Sequence, residues 1–262
     1  MTVADIATAI EQVAPLCFQE DFDNAGLQVG DPQATVAGIL LCTDVTADIV
    51  AEAIRRQRNL IISHHPLIFH PLKKIAGRNH VERIVAQAIK NDINIYSAHT
   101  NMDSALGGVN HHIAAKMGLR DVTFLQPDDC SQGSPHGIGV VGNLPQPVAA
   151  RDFLTAVKRT FGVEAIRYSG DISRDVQRVA VCGGAGSFLI DNALRSHADI
   201  FITADVRYHE FMGHENEIIL ADIGHYESEH FTKEIFLEII TKKNPNFAVD
   251  FAQTEKNQLN YI

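Results

Sequence analysis

Residues 38–66 read GILLCTDVTADIVAEAIRRQRNLIISHHP, and the reading of this stretch decides the fold. Gly38 to Cys42 is a short apolar run, Thr46 to Gln57 carries a helical pattern, and Asn59 to Ser63 is a second apolar run. Strand, helix and strand in that order make a parallel βαβ unit. The runs lack polar alternation, as expected of strands covered on both faces. His64 and His65 stand where the second strand ends, and Pro66 keeps His65 out of helical geometry.

The same alternation continues outward. Thr2 can cap a helix running from Val3 to about Val13, which Pro15 stops. A polar loop follows from Gln19 to Gly30. Downstream, residues 80–90 read as a helix, 93–98 as a strand and 108–117 as a helix. Between Gln126 and Pro135 the composition shifts to Pro, Asp, Ser, Gln and Gly, which marks a boundary. Beyond it, strands are predicted at 136–142, 163–168, 176–182, 200–203 and 218–223, with a last one at 247–251. Helices are predicted at 148–161, 188–197, 206–212 and 226–240, the last having the strongest amphipathic pattern. The expected fold is α/β: two α/β domains with mostly parallel sheets flanked by helices. The first domain takes residues 1–125 and 222–262, and the second takes residues 126–221.

Composition narrows the function. The chain has 262 residues, 45% of them hydrophobic, and a formal net charge of −10. Such a surface repels phosphate backbones, so neither nucleic acid nor an anionic membrane is an expected partner. Trp is absent and aromatic residues make up 7%, so stacking on bases is not advertised. Cys17, Cys42, Cys130 and Cys182 form no Cys-x-x-Cys pair, which argues against a disulfide framework or a structural zinc site. Cys42 and Cys182 lie in strand-like runs and read as small buried hydrophobes. The N-terminus lacks a signal-peptide pattern and no apolar run approaches the roughly 18 residues of a membrane span, so a cytoplasmic location is expected.

Chemistry concentrates in three words, each placed just after an apolar run: Ser63-His64-His65-Pro66, His99-Thr100-Asn101-Met102-Asp103 and His225-Tyr226-Glu227-Ser228-Glu229. Open α/β sheets collect ligands beyond the carboxyl ends of their strands. His225 and Glu229 are four apart at a helix start and share one face. In isolation such a pair is more often a solvated helix face. His225 and His230 are five apart, which rules out the H-E-x-x-H spacing of a zinc protease. Two adjacent imidazoles at a strand end suit two ions better than one. Asp103 could bridge two cations, while His99 reads either as a ligand or as a group that orients one. Thr100 and Asn101 read as turn formers. Taken together, three strand-end words predict a divalent metal centre, and one with two metals, since the donors outnumber what one tetrahedral ion needs. Imidazoles with carboxylates suit Zn, Mn, Fe, Co or Ni over Mg or Ca.

Two further features carry less. Cys182-Gly-Gly-Ala-Gly-Ser187 could cradle an anion at a helix start, but it has no P-loop lysine and reads first as a tight turn. Lys73, Lys74 and Arg78 could hold an anionic substrate, against a default of a solvated loop.

The three words, together with Asp23-Asn24-Ala25-Gly26-Leu27 and Gly183-Gly184-Ala185-Gly186, resemble the family of GTP cyclohydrolase 1 type 2 homologues, also called the NGG-one-interacting-factor-three-like family. The likeness spans nearly the whole chain and keeps the words in family order. It implies a two-domain α/β fold, with a dinuclear metal centre at strand C-terminal ends in the cleft between the domains. It also implies a toroidal homohexamer. Its pattern places metal ligands at His64, His65, Asp103, His225 and Glu229 and leaves His99 as a neighbour. Some relatives carry an additional middle domain, where this chain has only the 126–135 linker. The function expected is a dinuclear-metal hydrolase acting on a small nucleotide-like or phosphorylated substrate, with Glu227, His99 or His209 as proton carrier. The rival reading is a non-catalytic metal-binding regulator, chaperone or scaffold, and a GTP-specific cyclohydrolase is a third.

Overall fold

A computed structural model describes residues 1–128 and 134–262. Two β-sheets flanked by helices make up an α/β architecture. The chain divides into two compact units, residues 1–102 with 230–258 and residues 103–229 with 259–262. The second unit thus begins ahead of the composition change at 126–135, which lies partly outside the described residues, as does Cys130.

The first unit opens with α1 (Val3–Glu11), started by a reciprocal cap in which Thr2 accepts from the Asp5 amide and Asp5 accepts from the Thr2 amide. Next come β1 (Gly26–Val29), β2 (Ile39–Cys42), α2 (Ala47–Arg55), β3 (Leu60–Ser63), α3 (His80–Lys90) and β4 (Asn94–Ser97). Thr46 and Asn79 cap α2 and α3 through their side-chain oxygens. The first boundary falls inside α4 (Thr100–Ser104).

The second unit continues with α5 (Val109–Lys116), β5 (Arg120–Asp128), β6 (His136–Ala149), α6 (Ala150–Phe161), β7 (Arg167–Ser169) and β8 (Asp175–Ala185). It ends with α7 (Ile190–Arg195), β9 (Ile200–Ala204), β10 (Ile219–Asp222) and α8 (His225–Glu229). The chain then returns to the first unit as α9 (Thr232–Lys243) and β11 (Val249–Phe251).

The first sheet has the order β1-β4-β3-β2-β11, parallel throughout except for the edge strand β1. Every residue of β2, β3 and β4 is buried, which explains their unbroken apolar runs. Cys42 pairs with Ser63 and Ser63 with Ser97, so three strand ends finish in register. The Ser63 and Ser97 hydroxyls join there at 2.8 Å.

The second sheet has the order β5-β6-β8-β9-β10-β7. It is mixed rather than mostly parallel. Only β8, β9 and β10 run parallel, while β5 on β6, β6 on β8 and β7 on β10 are antiparallel. Crossover connections through α7 and a 3-10 turn (Tyr208–Phe211) build the parallel centre. That turn occupies the place of the helix expected at 206–212. The helix expected at 226–240 is two helices, broken at His230 and Phe231, whose rings lie 3.8 Å apart. Among the described residues no helix is long and apolar enough to cross a membrane.

One buried carboxylate fastens the end of the chain. Glu52 in α2 accepts from the Gln253 amide at 3.0 Å, the Thr254 amide at 2.9 Å, the Thr254 hydroxyl at 2.8 Å and Arg56 at 2.8 Å. Burial alone would raise its pKa, but these donors hold it down, from an ordinary 4.5 to about 2. A depressed pKa gives stability that is present above 4.5 and is lost as the pH falls towards 2. Glu52→Gln should therefore cost about 1–3 kcal/mol in urea unfolding at neutral pH. The gap from the parent protein should close on acidification through that window, and a gap independent of pH would contradict this assignment.

Candidate functional site

In the first unit three imidazoles meet beyond neighbouring strand ends. His64 and His65 follow β3, and His99 follows β4, which lies beside it. Their ring centroids are separated by 4.9 Å (His64–His65), 5.3 Å (His64–His99) and 5.4 Å (His65–His99). One ring nitrogen from each lies within 4.8 Å of the others, a spacing that could hold a metal ion.

Each ring is held by its Nδ1. His64 Nδ1 is 3.0 Å from the Ala98 carbonyl, His65 Nδ1 is 2.8 Å from Asp44 Oδ1, and His99 Nδ1 is 2.8 Å from Asp23 Oδ1. A carbonyl oxygen only accepts, so the His64 Nδ1 carries the proton and donates it. The carboxylates favour the same tautomer in His65 and His99. In a neutral imidazole the lone pair then sits on Nε2, the nitrogen a cation would use. Asp23 also accepts from the Thr100 amide at 3.0 Å and from the Thr100 hydroxyl. Burial works to raise its pKa, but His99 and Thr100 outweigh it and hold the group at about 2.

In the second unit the groups are carboxylates around one imidazole. His225 opens α8 and Glu229 closes it, and His225 Nε2 lies 2.9 Å from Glu229 Oε2. On the other side His225 Nδ1 lies 2.8 Å from Asp205 Oδ2, just past the end of β9. Burial disfavours the imidazolium, yet Glu229 and Asp205 together push the pKa of His225 up to about 11. Glu229 rests on the glycine word: a Cβ on Gly184 would fall 2.2 Å from Glu229 Oε1, and Gly184 has φ +60°. Only glycine fits that floor.

The glycine word does not cradle an anion with its first amides. Gly183 N donates to Asn110 Oδ1 at 2.9 Å, and Gly184 N donates to Ser228 Oγ at 3.0 Å. Asp103 is buried in α4, and its charge with that of Glu229 raises the thiol pKa of Cys182, after the larger effect of burial. Glu227 is buried, with a carboxylate oxygen where a Cβ on Gly224 would lie. His209 is exposed in the 3-10 turn, its ring beside Tyr208.

The donors suit a borderline divalent cation, being imidazole nitrogens and carboxylate oxygens with preset tautomers. Sequence reasoning missed Asp44 and Asp205 as partners of His65 and His225. Neither lies in a histidine word, and only the position of each just past a strand end (β2 and β9) pointed to them. Asp23 was visible as part of a recurrent word but without its task.

A family model described as Duf34/NIF3 (NGG1p interacting factor 3) matches residues 1–258. A GTP cyclohydrolase 1 type 2 homolog of Clostridium perfringens is 36% identical over 230 residues, covering 87% of this chain and 87% of its own. One from Streptococcus pneumoniae is 30% identical over 270 aligned residues, spanning 100% of both chains. Among solved structures, Staphylococcus aureus protein SA1388 is similar with a TM-score of 0.91 at 26% identity, covering 100% of this chain and 99% of that one.

Two outcomes follow from the geometry. Asp44→Asn should weaken zinc binding by about 10–100-fold, because the amide can present its N–H to the ring and loosen the tautomer; competition with a chromophoric chelator reads this. Unchanged affinity would show that Asp44 has no orienting role. Gly184→Ala should displace the Glu229 carboxylate and weaken binding as well, while Gly213→Ala, also at positive φ (+93°) but with nothing within 4 Å of its Cβ, carries the backbone strain alone and should leave binding intact.

Proposed function

The chain belongs to the Duf34/NIF3 family, and on that premise we propose that it is a metal-dependent hydrolase of a small nucleotide-like or phosphorylated substrate. Its ligands in this reading are His64, His65, Asp103, His225 and Glu229, holding two divalent transition-metal ions chosen from Zn, Mn, Fe, Co and Ni. The observation that carries the reading is the bracing of each imidazole at Nδ1 by a carbonyl or a carboxylate. Surface histidines need no such partners, whereas metal-ligating ones nearly always have them.

Two such ions, when bound, supply Lewis-acid activation of water and of a substrate oxygen. The chain's own residues do the rest. Asp44 and the Ala98 carbonyl fix the rings of His65 and His64, and Asp205 does the same for His225. Asp103 and Glu229 offset cation charge. The proton carrier is one of His99, Glu227 and His209, and of these His99 is the one that shares a strand-end cluster with His64 and His65. The substrate class is supported by the printed name of the relatives, GTP cyclohydrolase 1 type 2 homolog, and a closed homohexamer in the cytoplasm completes the proposal by family resemblance.

Elemental analysis of protein reconstituted with zinc or manganese tests this reading. It should find close to two equivalents per chain, since the donors exceed the needs of one tetrahedral ion. Asp103→Ala and Glu229→Ala should each lose at least one equivalent. A stoichiometry of one or less in the parent protein, or full retention in both variants, would refute the dinuclear reading. Screening the reconstituted protein against nucleotides and phosphoesters separates a hydrolase from a metal-binding regulator.

A further inference from the structure

Asp23 braces His99, but Phe22 is left 64% exposed. Its ring lies 6.3 Å from that of Phe69, itself 38% exposed. Phe69 in turn stands edge-on to His99, at 6.2 Å and 77°. Two exposed phenylalanines therefore border the imidazole cluster, all within the first unit.

Solvent-facing phenyl rings at such a place are costly to keep, and a large exposed apolar group is the informative kind of surface residue. The pair is also held in place rather than left loose. Asn24 Nδ2 donates to the Ile68 carbonyl at 2.6 Å, and the Ile68 amide donates to Gln28 Oε1 at 3.3 Å. The first bond joins the loop that carries Phe22 to the loop that carries Phe69, and the second ties the Phe69 loop to β1. Asp23 fixes the first loop from the other side, through His99 and Thr100. The aromatic faces are thus set in position before any ligand arrives, which lowers the entropy cost of binding.

Charge points to what would bind. The Phe69 loop runs on to Lys73 and Lys74, both exposed, in a chain of net charge −10. An aromatic platform followed by cations fits a planar base joined to a phosphate. We propose that Phe22 and Phe69, whose rings are inclined at 49°, form a platform on which the heteroaromatic base of a nucleotide stacks against one ring and meets the other at an angle, with Lys73 and Lys74 attracting its phosphate. The platform would set substrate class by the base, while the imidazole cluster lies at its edge. This inference rests on the hydrolase reading for its meaning, because it describes how that site would select its substrate.

The test is calorimetric titration of the zinc-loaded full-length protein with adenosine and guanosine 5′-monophosphates, and in parallel with ribose 5-phosphate, which carries the phosphate but no base. The double variant Phe22→Ala/Phe69→Ala should lose about tenfold or more in affinity for at least one of the nucleotides, the range expected for a lost base–aromatic stack. Its affinity for ribose 5-phosphate and its zinc content should stay unchanged. Phe69→Tyr keeps a ring face and should retain binding within about twofold, whereas Phe69→Leu keeps apolar bulk and should not. Lys73→Ala/Lys74→Ala should weaken all three ligands together. Equal losses for nucleotide and ribose 5-phosphate in the phenylalanine variant, or no loss at all, would overturn the platform. So would zinc-loaded parent protein that binds neither nucleotide, an outcome that leaves the metal reading standing. Light scattering covers the other occupant: if the phenylalanine variant falls to a smaller oligomer than the parent, the pair is a contact between copies and the proposal fails. If the parent holds no zinc, the hydrolase reading fails by itself, and the same titrations on the metal-free protein still report on the platform.

Discussion

A histidine can aim a lone pair at a cation only when something holds the proton on its other nitrogen. The site-bearing part of this structure depends on that constraint. His64 meets it with a main-chain carbonyl, and His65, His99 and His225 meet it with Asp44, Asp23 and Asp205. The carbonyl of Ala98 is available because it follows the end of β4, next to the strand that delivers His64. In-register parallel strands thus do more than bury a core. They bring the carbonyl of one strand end and the ring of the next to hydrogen-bonding distance.

The second unit solves a different problem, that of concentrating negative charge. Asp205 and Glu229 flank His225 and push its pKa up, while burial first, and then the charges of Asp103 and Glu229, push up the thiol of Cys182. Such a cluster is costly unless a cation offsets it. The imidazolium of His225 between Asp205 and Glu229 supplies part of that compensation. The glycines beneath Glu229 reflect the same economy of space, since a methyl group at Gly184 would occupy the position of the carboxylate oxygen.

Much of this was legible in the sequence. Unbroken apolar runs mark β2, β3, β4, β9, β10 and the Val179–Cys182 stretch of β8 because these segments are buried on both faces, and the caps at Thr2 and Thr46 are visible as residue types. What escaped has a common cause. β1 is four residues long on a sheet edge and bounded by glycines at 26 and 30, and β5 is largely exposed, so neither carries an apolar run. Thr100 and Asn101, read as turn formers, begin the short helix α4, where Asn101 Oδ1 caps the His99 amide. The task of the positioning carboxylates could not be read because their partners are 21, 76 and 20 positions away along the chain. The low aromatic content likewise hid the pairing of Phe22 with Phe69, which depends on two loops meeting.

The central claim is that these histidines present Nε2 to a divalent ion while Nδ1 stays protonated on its partner. Long-range proton–nitrogen correlation spectra of histidine-labelled, zinc-loaded protein read this directly. The account predicts that His64, His65 and His225 each show a protonated Nδ1 and a metal-shifted Nε2. A metal-shifted Nδ1 in these rings, or imidazoles that stay protonated on both nitrogens when zinc is present, would contradict it.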